Sequence, residues 1–460
     1  MVWTREIPYL DPIAAAARLS RLPGLAFLDS AMTHDTLGRV SVLAADPFGR
    51  FRCRDGRVTL DGRALPGPPL DALRACLAPY RIAPRPDLPV FPGGAIGYLA
   101  YDFGASLERV TPPARRAGLT DDVAFNLYDT LLAVDHGRRT CRLIATGFPE
   151  TDARAREVRA SERLDAFAAW LAAPAEAWPA WTGAELAWHS NFSRQGYEQA
   201  VEKVRDYIRA GDIYQANIAQ RFCADLPPDF DPFAFYRRLR ETNPATFGAY
   251  LDLDGLTVAS SSPERFLQLQ GREVETRPIK GTVARDPDPV RDAEIAAALA
   301  RNPKERAENI MIVDLLRNDL SRVCEPGSVR VPTLCGLESY AGIHHLVSVV
   351  TGTLREGMDA LDLLAKTFPG GSITGAPKLR AMDIITEIEG DARELYCGAI
   401  GAIGFDGSLD TSIAIRTVFM NAREAVLQAG GGVTLLSEPG PEYEETLTKA
   451  ARVFAAFDAP

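Results

Sequence analysis

Strand-like segments in this chain arrive in runs, and the regular strand–helix–strand alternation of a parallel sheet is missing. That pattern disfavours a dinucleotide-binding sheet and points to α+β layering. Alternating segments at Arg39–Ala44 and Val123–Val134 read as strands, with turns at Asp55-Gly56 and Asp61-Gly62. Ile213–Ala224 reads as a strand, and Ala249–Ser260 as a hairpin turning at Asp254-Gly255. Further strands are expected at His345–Leu354, Gly398–Phe405, Ser412–Met420 and Ala425–Gln428. A helix is expected over Arg194–Ala210, capped by Ser193 and stopped by Gly211. Arg291–Val323 reads as two helices broken near Asn302-Pro303, and others fill Ala360–Lys366, Pro377–Glu389 and Glu442–Phe454.

At 460 residues the chain suits two domains or one large interwoven one. Leu171–Trp188, rich in alanine and tryptophan without a sustained period, reads as a linker. It separates an N-terminal region, residues 1–180, from a C-terminal region, residues 190–460, in which the chemistry gathers. No apolar run approaches the roughly 18 residues of a membrane helix. The seven cysteines are scattered and never in C-x-x-C spacing, which argues for reduced thiols, a cytoplasmic location and no zinc site. Net charge is −10 without a dense basic cluster, so nucleic acid is not an expected partner.

Six segments carry candidate chemistry. In Arg277-Pro278-Ile279-Lys280-Gly281-Thr282, Pro278 fixes φ and Gly281 permits unusual backbone, so Lys280 sits in a constrained stretch. Such a lysine is a candidate nucleophile. Upstream, Ser261-Ser262-Pro263-Glu264-Arg265-Phe266 places Glu264 after an apolar strand as a candidate general acid. Glu305, Glu308 and Asp314 share a helix with many apolar positions, and Glu442, Glu445 and Lys449 share one face of the closing helix. Carboxylates from two helices suit Mg²⁺. Phe368–Lys378 is a Gly-rich turn feeding a helix, with Pro377 near its first position, and Gly430-Gly431-Gly432 is a second backbone cradle after a strand. Taken singly, each segment is more often a surface turn or a solvated helix face.

Together and in this order the six segments resemble the chorismate-binding enzyme family, strongly over Ser190–Phe454 and weakly before it. That family includes anthranilate synthase, aminodeoxychorismate synthase, isochorismate synthase and salicylate synthase. The resemblance implies large interwoven antiparallel sheets packed as a sandwich with helices outside. Water-adding members carry a lysine base where this chain has Gln215, and an amide is a poor proton acceptor. Anthranilate synthases typically show alanine where this chain has Lys280. Lys280, and Asn217 after Tyr214-Gln215, resemble the branch that puts an amino group on C4 of chorismate, which serves p-aminobenzoate and folate biosynthesis.

The resemblance further implies roles. Lys280 attacks the ring at C2 and Glu264 protonates the departing C4 hydroxyl, with His345 near the ring. Mg²⁺ is held by Glu308 and Glu445, with Glu442 acting through water. Tyr396, Arg416 and the amides of Gly430–Gly432 hold one substrate carboxylate, while Lys449, Gly281 and Thr282 assist at the other. Ser372 and Thr374, in the Gly-rich turn, join the substrate-binding set with Gln215 and Asn217. The chain has no Gly-x-Cys-x-Gly elbow, so ammonia is expected from a separate glutaminase subunit, and a separate lyase is expected to act on the product. The N-terminal region, through Leu28-Asp29-Ser30, is a possible tryptophan pocket by the same resemblance.

Overall fold

The computed structural model describes residues 1–32, 37–174, 181–340 and 342–459. Its frame is two 12-stranded sheets in which the named pairings are antiparallel. Both sheets take strands from each end of the chain. In the first, Ala26–Asp29 lies beside Phe247–Asp252, with Phe27 opposite Tyr250. In the second, Gly94–Leu99 lies beside Ala399–Gly404, with Gly97 opposite Gly401. The expected linker therefore divides the sequence and leaves both sheets shared.

The sheets face each other across a buried layer that includes Val42, Ile96, Tyr98, Leu251, Val258, Ile400 and Phe419. The outer face of the first sheet packs helices such as Ala153–Ala172 and Pro232–Thr242, through Phe167, Phe235 and Leu239. The outer face of the second packs Pro303–Ser321 and Ala360–Thr367, through Ile312, Leu316 and Leu364. This is the expected α+β sandwich with helices outside.

Several local expectations match the fold. Ser193 caps the helix Arg194–Arg209 by accepting from the Gly196 N–H at 3.1 Å, and Gly211 follows at φ +83°. The hairpin of Phe247–Asp252 and Thr257–Ser262 turns through Asp254 and Gly255, both at positive φ. Asn302 ends the helix Pro289–Arg301 and caps Pro303–Ser321, so one residue makes the break.

Other expectations need correction. Val123–Val134 is two strands, Val123–Tyr128 and Thr130–Asp135, parted at the buried Asp129. Ser412–Met420 is likewise two, Leu409–Ile413 in the second sheet and Thr417–Met420 in the first. The glycines 430–432 do not follow a strand; they lie inside Glu424–Val433, opposite Ala219, Ile218 and Asn217. Pro377 is the N-cap of Lys378–Glu389, one position earlier than expected. Within the proposed linker, residues 175–180 lie outside the described residues, while the Trp188 ring packs at an angle against Phe454 and edge-on against Phe457, at 5.1 and 5.2 Å.

No helix among the described residues is long and apolar enough to cross a membrane. All seven cysteines are free.

Candidate active site

The chain crosses from the first sheet to the second at Pro263-Glu264, between Thr257–Ser262 and Arg265–Gln270. It crosses again, in the other direction, between Ile413 and Thr417. The two crossings are tied together, because the Ile413 N–H donates to the Glu264 carbonyl at 3.0 Å and the Ser261 N–H to the Arg416 carbonyl at 3.1 Å. The second crossing puts Arg416 at φ +51°, an unusual conformation for a non-glycine residue. Glu264 and Arg416 thus sit at the seam between the sheets.

Lys280 reaches the same seam from the strand Ile279–Ala284. The pairing of that strand with Ile343–Thr353 slips between Lys280 and Thr282, and Gly281 takes φ +74° at the slip. Lys280 Nζ donates to the Ser372 carbonyl at 3.4 Å. The Ser372 hydroxyl and the Ile279 N–H donate to the Glu264 carboxyl. Burial pushes that carboxyl up to about 7, against the pull of those two donors, Lys280 and Arg416. A carboxyl near 7 is suited to give up a proton at neutral pH.

His345 stands opposite Thr282, whose hydroxyl lies 2.8 Å from the His345 Nδ1. Burial, with Arg416 and His344 nearby, pushes His345 down to about 4, so the ring is neutral at physiological pH. Burial also lowers Arg416, with Arg452 adding to the effect and Glu264 opposing it. Tyr396 is buried nearby, its ring 5.6 Å from the Arg393 guanidinium. Gln215 and Asn217 point the same way along Gln215–Asp225, and the Gln215 Oε1 and Asn217 Oδ1 are buried without hydrogen-bond partners. The Gln215 amide lies against the α-carbon of Gly432, where any side chain would collide with it.

The carboxylates of the two helices converge on the same region. A Cβ on Gly431 would lie 3.1 Å from the Glu442 Oε2 and 3.2 Å from the Glu445 Oε1. Burial raises Glu442, opposed by a Ser437 hydrogen bond and reinforced by Glu445. Burial acts to raise Glu445 as well, but Lys449 at 2.7 Å, Lys304 and Lys280 outweigh it and hold this carboxyl low. Glu308 is raised by burial, opposed by Lys280 and Lys304 and reinforced by Glu305 and Glu442, and its Oε1 has no hydrogen-bond partner.

Among the described residues no three His, Cys, Asp or Glu side chains are close enough to cage a metal alone. Mg²⁺ does not require a cage, because it keeps several waters and commonly binds one or two carboxylates plus an anionic ligand. Glu308, with an orphaned carboxylate oxygen and within electrostatic reach of Glu442, could supply one such ligand, and the adjacent Glu445 another.

Some expected participants are placed differently. The Lys449 Nζ is held by the Gly430 carbonyl at 2.9 Å and by Glu445, rather than standing free. The Thr374 hydroxyl donates to the Gly370 carbonyl at 3.1 Å, which leaves its oxygen only an acceptor's part toward any ligand. Gly430–Gly432 lie in a paired strand, and the N–H groups of Gly430 and Gly432 face away from Gln215–Asp225, because their partners Ala219 and Asn217 turn their own N–H groups outward to Glu389 and Thr374. Asp314 leaves the site altogether and bonds Arg317 on the surface at 2.7 Å. Lys304, Asn309, Glu389 and Arg393, none singled out from sequence, all lie in or under the site. Leu28, Asp29 and Ser30 line a separate cavity of about 800 Å³, where the Asp29 carboxylate is held by Arg240 at 2.6 Å and Tyr236 at 3.1 Å.

The chain matches the family described as chorismate binding enzyme over residues 29–455. It is 40% identical over 451 residues to aminodeoxychorismate synthase component 1 of Salmonella typhimurium, covering 95% of this chain and 94% of that protein. It is 37% identical over 450 residues to anthranilate synthase component 1 of Thermus thermophilus, covering 97% and 95%. Its fold superposes on a crystal structure of anthranilate synthase component I from Streptococcus pneumoniae with a TM-score of 0.81, at 32% identity over 92% of this chain and 94% of that one. With a family match spanning nearly its whole length and relatives of this similarity, the chain belongs to the chorismate-binding enzyme family.

Proposed function

We propose that the chain aminates chorismate at C4 to give 4-amino-4-deoxychorismate, using ammonia released by a separate glutaminase subunit. The observation that carries this reading is the grouping of Lys280 and Glu264 on Ser372, the lysine at its carbonyl and the carboxyl at its hydroxyl. An amine and a protonatable carboxyl side by side suit a displacement in which one attacks while the other protonates the leaving group.

The neutral amine of Lys280 attacks C2 of the ring as the double bonds shift. Glu264 gives its proton to the C4 hydroxyl, and the C4–O bond breaks to release water. Ammonia then forms a bond to C4, the double bonds shift back, and the C2–N bond to Lys280 breaks. Ammonia loses one proton, which restores Glu264. Arg416, half-buried and with no side-chain hydrogen bond or ion pair to another described residue, is free to take a substrate carboxylate by two parallel N–H donors. Mg²⁺ bound by Glu308 and Glu445, with Glu442 behind, would neutralise the ring carboxylate. His345, neutral and held by Thr282, offers a ring nitrogen beside the substrate without adding charge. Gln215 and Asn217 present amide oxygens that accept hydrogen bonds and take up no proton at neutral pH, which favours ammonia over activated water. The cavity behind Leu28–Ser30 is where tryptophan would sit if the chain takes it, and equilibrium dialysis with tryptophan checks whether it does.

The test is a product assay. The chain, incubated with chorismate, Mg²⁺ and ammonium, should form a species with the mass of aminodeoxychorismate, and p-aminobenzoate only after a lyase is added. Anthranilate fluorescence without a lyase would overturn the assignment. That rival is favoured by one observation, the similar identity to anthranilate synthase relatives.

A further inference from the structure

An ion pair buried beneath the site occupies a place where a sheet would ordinarily continue. One edge of Gln215–Asp225 is paired from Ala216 to Asp225 with Glu424–Val433. The other edge pairs with Gly375–Ala376 at Gln215 and Ala216 and with His189–Ser190 at Phe222 and Cys223, leaving a gap between them. The Asn217 N–H then donates to the Thr374 carbonyl at 2.8 Å, and the Gly-rich segment departs. The next polar groups on that edge would be orphaned in the interior, at a cost of about 1–3 kcal/mol each. Two side chains take them instead. Arg393 Nη2 donates to the Asn217 carbonyl at 2.7 Å, and the Ala219 N–H donates to the Glu389 Oε1 at 2.8 Å.

Glu389 and Arg393 also hold each other through two parallel bonds, of 2.9 Å at Nε and 2.7 Å at Nη2. Their exposures are 5% and 1%, so both charges are fully inside. Arg393 Nη1 reaches the other side of the gap and donates to the Ile373 carbonyl at 3.1 Å. Ile373 stands between Ser372 and Thr374. The aromatic rings of Tyr101 and Tyr396, 4.8 and 5.6 Å from the guanidinium, close over it. A buried pair of this kind is weak as a source of stability, because desolvation offsets most of the attraction. What the planar fork supplies is geometry: one rigid group bridges two backbones that no strand pairing connects.

We propose that Arg393, oriented by Glu389, is the positioning residue that fixes the Ser372 segment against Gln215 and Asn217, and so sets where Lys280 and Glu264 meet. It acts through Ser372 and the backbone and touches no substrate atom. The inference rests on the reading that Lys280 and Glu264 act on chorismate. A lysine at 393 would keep the charge and lose the span, since a single ammonium cannot hold both backbones and both carboxylate oxygens in one plane.

The experiment measures chorismate consumption, with Mg²⁺ and ammonium, by Arg393→Lys and Glu389→Gln, each alone and combined with Ser372→Ala. Both are expected to lose about 10- to 100-fold in kcat, the scale of a misplaced reacting group, with KM for chorismate changed less than about threefold. The alkaline limb of the kcat–pH profile should move to higher pH as the Ser372 hydroxyl leaves Glu264. Each double variant should lose less than the product of its two single losses, because both changes act on one segment. Wild-type kcat and an unmoved pH limb, or full additivity with Ser372→Ala, would overturn the proposal. Should Arg393→Lys fail to fold, Glu389→Gln decides; failure of both to fold shows a folding element only and also overturns it. Glu264→Gln and Lys280→Ala run in parallel: wild-type rates in those two remove the underlying reading, whereas their loss with an indifferent Arg393 removes this inference alone.

Discussion

Replacing Glu264 by glutamine removes a proton donor while keeping nearly the same shape, and the surroundings of the carboxyl set the size of the effect. Burial moves Glu264 from an ordinary 4.5 to about 7. At pH 7 about half of the molecules then hold the proton, against about one in 300 for an unperturbed carboxyl. The difference is worth about 3 kcal/mol. If protonated Glu264 is the acid, kcat should fall about tenfold per pH unit above 7, provided that free ammonia is held constant by adjusting total ammonium. Glu264→Gln should cost about 10²- to 10⁴-fold at pH 7 and show no limb there. The same shift has a stability signature. A carboxyl whose pKa is raised by folding binds more protons in the native state than in the unfolded chain between pH 4.5 and 7. Native stability therefore declines as pH climbs through that window, by about 3 kcal/mol in all, and changes no further above it. Glu264→Gln escapes the decline, so the variant should gain on the wild type at pH 8 and not at pH 4. Denaturant titrations at the two pH values measure it. A flat kcat between pH 7 and 9 in the wild type, or equal stability differences at both pH values, would refute the reasoning.

Lys280→Ala should lose most amination, by at least about 10²-fold, and a wild-type rate in a coupled lyase assay would dismiss a covalent role. Glu308→Gln and Glu445→Gln should each raise the Mg²⁺ concentration for half-maximal rate by about tenfold or more, and unchanged metal titrations would remove them from the site. Gly431→Ala places a methyl 3.1–3.2 Å from the Glu442 and Glu445 oxygens. It should therefore weaken Mg²⁺ dependence more than fold stability, as metal titration and thermal melting together would reveal.

What the sequence made legible was local. A serine cap with a glycine stop, an Asp-Gly turn and an Asn-Pro break are decided by a few adjacent residues, and all three stand where expected. Lys280, Glu264, Glu442 and Glu445 stand out through the order of the six segments taken together, since each short stretch alone reads more often as a surface turn or a solvated helix face. The failures needed partners far along the chain. Gly430–Gly432 belong to a strand because Gln215–Asp225 lies beside them, and three glycines carry no side-chain alternation to announce it. Arg416 breaks an apolar run because the chain must change sheets there, a requirement invisible within nine residues. Glu389, at a helix end, and Arg393, just beyond it, carry no local signal in the sequence. Only the gap beside Asn217 gives them their place.

Each sheet joins a block of N-terminal strands to a block of C-terminal ones, so the nascent N-terminal half pairs its own strands but leaves Ala26–Asp29 and Gly94–Leu99 each without a final neighbour. The edge of Ala26–Asp29 that Phe247–Asp252 will occupy must wait for some two hundred further residues to leave the ribosome. Such an interval leaves sticky backbone edges exposed during synthesis. Either half made alone would carry one such open edge into solvent on each sheet.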